Sequence, residues 1–196
     1  MNIFNAFYIG ILTLILFVPT LISESLLFPF ITGKNFWFRT LTLIAAILFA
    51  YVVYKKQELV KTLTPIHTAF SIFVGVLLLA DILGVNPMRS LFSGFERMEG
   101  WFTHALLLLL FLLLTQIVRT LDVWRDVFKV SLIANAYVLF FGFSQYFGTL
   151  NLFQQSADRI DATLGNAAYL GGYAMMYAFI LAWLAYTTKN ISARYL

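Results

Sequence analysis

Six apolar runs separated by short polar connections dominate this chain of 196 residues and leave few folds open to it. A helix crosses a hydrocarbon core about 30 Å thick with roughly 20 mostly apolar residues. The runs at 6–22, 36–54, 66–84, 101–118, 127–147 and 169–187 are close to that length. With 61% hydrophobic residues, 11% charged residues and a mean hydropathy of +0.86, the chain lacks the composition of a soluble domain. In lipid, backbone polar groups find partners only within their own segment, so each run is expected to be a helix. The fold class expected is an all-α polytopic membrane bundle of about six transmembrane helices, a single domain over 1–196 with no internal repeat or low-complexity linker.

The first run has no Lys or Arg before it, and Ile22-Ser23-Glu24-Ser25-Leu26 after it offers no small-x-small cleavage site. It therefore reads as a retained helix rather than a signal peptide, with Pro19 expected to kink it near its outer end. Orientation follows from Lys and Arg, which favour short cytoplasmic loops. With an inner N-terminus, Lys55, Lys56, Lys61, Arg119, Arg125, Lys129, Lys189 and Arg194 fall inside, and Lys34, Arg39, Arg89, Arg97 and Arg159 fall outside. This split of the 13 basic residues, eight to five, predicts that both termini are cytoplasmic. It also accounts for most of the net charge of +4, so no nucleic-acid partner is expected.

The chain has no cysteine, which removes disulfides and thiolate metal sites. His67 and His104 stand alone at span edges and read as interfacial helix-end residues rather than metal ligands. The inner connections 55–61 and 119–126 read as solvated loops. Pro65 is placed to open the third span as a first-turn proline, and Trp124 suits the aromatic belt.

The outer connections are less ordinary. The segment 86–100, NPMRSLFSGFERMEG, holds Arg89, Glu96, Arg97 and Glu99 between two apolar runs. On a helical wheel Met88, Leu91, Phe95, Met98 and Phe102 recur at steps of three and four, with Arg89, Ser93, Glu96 and Arg97 opposite. An amphipathic segment lying in the membrane interface between spans three and four is expected, weakened by Gly94 and Gly100 at about 1 kcal/mol each relative to Ala. Its charges either simply face water or form a site. In the second case Arg89 and Arg97, always charged and able to bind phosphate with two parallel hydrogen bonds, would hold the pyrophosphate of a lipid carrier. Glu96 and Glu99, three residues apart, are weak catalytic candidates that would orient an arginine or accept a sugar hydroxyl proton. Two glutamates supply too few oxygens for a hard cation, so no metal site is expected.

A second polar segment, 158–169, carries Arg159 flanked by Asp158 and Asp161, then Thr163, Gly165 and Asn166 ahead of the sixth span. Gly-Asn before a helix is first a turn and an N-cap, and the same helix start would also favour an anion. Arg159, Asp161 and Asn166 accordingly join Arg89 and Arg97 as candidate substrate-binding residues. The small residues Ala167, Ala168, Gly171, Gly172 and Ala174 would let another helix or a lipid chain lie close to the sixth span.

The order of these segments resembles the N-terminal half of the bacterial O-antigen ligase and polymerase superfamily. The elements are Val85-Asn86-Pro87-Met88-Arg89-Ser90, Glu96-Arg97-Met98-Glu99-Gly100 and Arg159-Ile160-Asp161-Ala162-Thr163-Leu164-Gly165-Asn166. The likeness runs from about Ser25 to Tyr177, and the order of its short motifs carries more than any one of them. It implies an envelope glycosyltransferase that moves a glycan from an undecaprenyl-pyrophosphate carrier to lipid A core, a polysaccharide or a protein on the outer face of the cytoplasmic membrane. Such enzymes use no nucleotide sugar and are regarded as metal-independent, so no cofactor is implied. Fixed guanidinium groups suit that chemistry, because negative charge grows on the leaving phosphate.

The likeness is partial. Family members have around a dozen spans, with a large outer loop in the C-terminal half bearing a further arginine and a histidine, and neither histidine here maps onto that one. Ala167 stands where many relatives have proline. The chain is thus expected to be the N-terminal part of a longer protein, or to work with a partner subunit. Two other readings remain: a segment of a lipid-linked oligosaccharide flippase or transporter, disfavoured because the spans hold little charge beyond Asp81 and Lys129, and a non-catalytic membrane scaffold, for which helix packing alone would suffice.

Overall fold

A computed structural model describes residues 3–56, 63–94, 96–118, 120–149 and 159–192, and all regular structure among them is helical. Lys61, Phe95, Arg119, Asp158 and Arg194 lie outside the described residues. The helices are α1 (Ile3–Leu16), α2 (Thr32–Lys56), α3 (Pro65–Ile82), α4 (Pro87–Phe92), α5 (Trp101–Ile117), α6 (Leu121–Phe147) and α7 (Ala167–Ser192). Four of them, α2, α3, α6 and α7, are long and apolar enough to cross a membrane, while α5 and the stretch Ile9–Thr20 are apolar but shorter. The contacts divide the chain into two units, one made of α1 to α5 and the other of α6, α7 and the short stretch Pro19–Leu21.

In the first unit α2 is the central helix, packing on both α1 and α5. Leu41 and Ala45, one turn apart on α2, meet Ile11 of α1 and Leu113 of α5 in a buried cluster with Val18. Helix α5 also packs on α3 through polar pins. Trp101 Nε1 donates to Val74 O at 2.9 Å. His67, 6% exposed, uses both ring nitrogens. Its Nδ1 accepts from the Thr64 amide at 3.0 Å, which leaves the proton on Nε2 to be donated to Thr115 Oγ1 at 2.8 Å. The ring also lies 5.0 Å from that of Phe111. His67 is thus at a helix end, as its place in the sequence suggests, and there it caps α3 and ties it to α5. Pro65 occupies the first turn of α3, where its missing N–H leaves no gap.

In the second unit α6 and α7 pair, with Phe128 edge-on to Trp183 at 5.5 Å and stacked on Trp124 at 5.6 Å. Gly148, at φ 62°, ends α6 in the left-handed conformation that glycine adopts without steric cost.

Among the boundaries that differ from the sequence reading, three have a local cause. Helix α1 stops at Leu16 and gives way to a 3-10 turn at Val18–Thr20, so Pro19 lies beyond the end of the helix instead of kinking it. Helix α6 begins at Leu121, because Thr120 caps it and the alternating charges of the supposed loop pair along its surface as Arg125–Asp122 and Lys129–Asp126. The amphipathic helix expected within 86–100 is only six residues long and ends at Phe92.

Candidate functional site

The first polar loop is built outward from α3. Asn86 caps α4, its Oδ1 accepting from the Arg89 amide at 3.2 Å, and Pro87 fills the first turn. Helix α4 stops because Ser93 turns to φ 60°, ψ 178°, a region that side chains avoid, while its amide still reaches Arg89 O at 2.8 Å. A turn follows in which the Met98 amide donates to Gly94 O at 2.9 Å. Met98, buried and at φ 53°, then directs the chain into α5.

Two contacts hold this loop in its unusual path. A Cβ placed on Gly100 would lie 2.5 Å from Leu91 O, so only glycine permits the start of α5 to touch the last turn of α4. Arg39 of α2 reaches across: Nη2 donates to Met98 O at 2.9 Å and to Thr103 Oγ1 at 2.8 Å, and the guanidinium lies 5.3 Å from the Phe102 ring centre. Thr103 Oγ1 donates to the same Met98 carbonyl at 2.7 Å. In the sequence Arg39 counts only as one more outer positive charge. Its position several residues into an apolar helix is the signal that it has a partner to find.

The result is a polar hollow of about 310 Å³ lined by Arg89, Ser93, Gly94, Glu96 and Arg97. All three charged residues are exposed, and among the described residues their side chains make no hydrogen bond or ion pair with the protein. Arg89 and Arg97 both line this hollow, and with one glutamate between two arginines it is net positive. Glu96 lines it. Glu99 is exposed but does not.

The second polar loop, 159–166, is organised differently. Asp161 is 0% exposed and accepts from Gln145 Nε2 at 2.9 Å. Gln145 Oε1 in turn accepts from the amides of Asp161 at 3.2 Å and Ala162 at 2.8 Å, so one side chain on α6 clasps the loop through three hydrogen bonds. Thr163, also wholly buried, donates to Pro19 O at 2.8 Å. Ala162 takes φ 48° and Gly165 φ 68°, and the chain then enters α7 with Asn166 Oδ1 accepting from the Ala168 amide at 2.8 Å. Asn166 is the helix cap its sequence position suggested. Asp161, expected at a binding surface, is enclosed and shapes the loop, whereas Arg159 and Asn166 are exposed.

Sequence reasoning passed over Gln145, a polar residue in the last turns of an apolar helix, and Pro19 O, which lies 144 residues from its donor. All the non-glycine residues with positive φ among those described, Ser93, Met98 and Ala162, fall in these two loops. Each such conformation costs roughly 1–3 kcal/mol and persists only where its surroundings enforce it.

Comparison with known proteins finds no matching family model, no matching curated protein and no matching solved structure.

Proposed function

We propose that this chain is the donor-lipid-binding part of a membrane glycosyltransferase of the O-antigen ligase type. In this reading it sits in a bacterial cytoplasmic membrane, with α1 and α5 crossing alongside the four longer helices to make six spans and both polar loops on the outer face. The single observation that carries the reading is the hollow at Arg89 and Arg97, where two exposed guanidinium groups with no hydrogen bond or ion pair among the described residues flank a strained serine. Such a pair suits a pyrophosphate: it binds the anion with several charge-assisted hydrogen bonds and would stabilise the charge that grows on the phosphate as the sugar leaves. Glu96, beside them, is placed to orient an arginine or take a proton from an acceptor hydroxyl. Arg159 and Asn166 are the groups of the second loop that a ligand can reach. A C-terminal portion or partner subunit would complete the catalytic set.

Binding of undecaprenyl pyrophosphate to the purified chain in nanodiscs tests this. Replacing Arg89 and Arg97 together by Gln should weaken binding by about tenfold or more, since hydrogen bonds to charged groups contribute roughly 1.5–3 kcal/mol each. Unchanged binding in the double variant would remove the basis for the proposal and leave the scaffold reading in front. The burial of Asp161 and Thr163 favours that second reading for the loop that contains them.

A further inference from the structure

Of the apolar residues that a helical wheel gathers on one face of 86–100, Met98 is buried and Leu91 is partly covered where the start of α5 touches α4. A different apolar set is left outside. Leu83, Val85, Met88 and Phe92 are each more than half exposed, and Val85 is completely so. Four large apolar side chains so close together exceed the scattered single ones of a solvated loop. They belong to one end of the first unit, because α4 folds back beside the last turn of α3: a Cβ placed on Gly84 would lie 3.8 Å from Ser90 Oγ. Along α3, Ile72, Val76 and Leu79 are exposed at steps of four and three, and Leu83, the C-cap, follows four residues later on the same face. Helix α3 is long and apolar enough to cross a membrane, so acyl chains are what that face meets. The exposed tip continues the same face past the end of the helix. The charges agree with this cover, since Arg89 and Arg97, exposed around the neighbouring hollow, suit the anionic groups of a headgroup layer.

We infer that the tip formed by Leu83, Val85, Met88 and Phe92 is immersed in the lipid leaflet at the C-terminal end of α3, a shallow wedge that sets the hollow at Arg89 and Arg97 among the headgroups. Its partner is the bilayer itself. The inference requires nothing of the transfer reading, because the exposed apolar side chains and their continuity with α3 are the same whether or not the hollow binds a pyrophosphate.

The chain has no cysteine, so a single introduced thiol takes a spin label at one known place. Val85→Cys, Met88→Cys, Leu79→Cys and Glu99→Cys each replace an exposed side chain and leave the core untouched. In the full chain reconstituted into vesicles of phosphatidylcholine and phosphatidylglycerol, power-saturation EPR compares collisions of each nitroxide with oxygen, which concentrates in lipid, and with a nickel chelate that stays in water. The labels at 85 and 88 should favour oxygen and report a depth of roughly 5–10 Å, shallower than the label at 79. The label at 99 should favour the nickel chelate. Labels at 85 and 88 that meet the chelate as readily as the label at 99 would overturn the inference, because the tip would then stand in water. Shielding of those two labels from both reagents would overturn it as well, since a second copy of the chain or another protein would then cover the tip. A label at 79 that fails to favour oxygen would remove the lipid-facing surface that the tip continues, with the same result.

Discussion

The loop at 83–100 and the loop at 159–166 look alike in sequence, each a short charged segment ahead of an apolar helix, yet they use their polar groups in opposite ways. In the first, Arg89, Glu96 and Arg97 stay exposed around a hollow, and the loop is gripped from behind by Arg39 and Gly100. In the second, Asp161 and Thr163 are enclosed, and Gln145 and Pro19 O satisfy them. A charged segment therefore says little about binding until the partner of each charge is known. Where the protein supplies the partner, the group serves the fold. Where it does not, the group is available to a ligand.

The contrast breaks most readily at Gln145. Gln145→Leu removes three hydrogen bonds and leaves a wholly buried carboxyl and two amides without them, so denaturant unfolding in detergent should show a loss of about 3 kcal/mol. A loss within about 0.5 kcal/mol, the range of an ordinary surface substitution, would mean that the second loop is not held as described.

Arg39→Leu should be next, at about 2 kcal/mol for the loss of charge-assisted bonds to Met98 O and Thr103 Oγ1. It should also make the 93–99 segment accessible to limited proteolysis, while 159–166 stays resistant. Cleavage in both loops would show that Arg39 supports the fold generally and not the first loop in particular.

Ser93→Gly should have the opposite sign. Glycine relieves the backbone strain at φ 60°, and the variant should gain about 1 kcal/mol in the same unfolding measurement. A loss of stability would mean that the serine side chain contributes more than its backbone costs.

Much of this architecture is legible in the sequence, for reasons that are local. Long apolar runs fix α2, α3, α6 and α7, Pro65 marks the start of α3, and Asn166 marks that of α7, since each signal acts within a turn of its own position. What the sequence hid depends on partners far along the chain. The wheel drawn through Met88 and Phe102 has no term for Ser93 and Met98 leaving the helical region, and they leave it because Arg39, 59 residues from Met98, and Gly100 hold the loop there. Asp161 looks solvated beside Arg159, and nothing nearby announces that Gln145, 16 residues earlier, will enclose it. Arg89 and Arg97 stand eight residues apart in the sequence, and the turns at Ser93 and Met98 set how both come to line one hollow.

The central claim, that one loop is open to an anion and the other closed upon itself, is most directly tested by hydrogen–deuterium exchange of the full chain with and without inorganic pyrophosphate, a probe that lacks any lipid chain. The amides between Arg89 and Glu99 should exchange more slowly when pyrophosphate is present, and those of Asp161, Ala162 and Leu164, already bonded within the protein, should not change. Slowing confined to 159–166, or no slowing in either loop, would contradict the account.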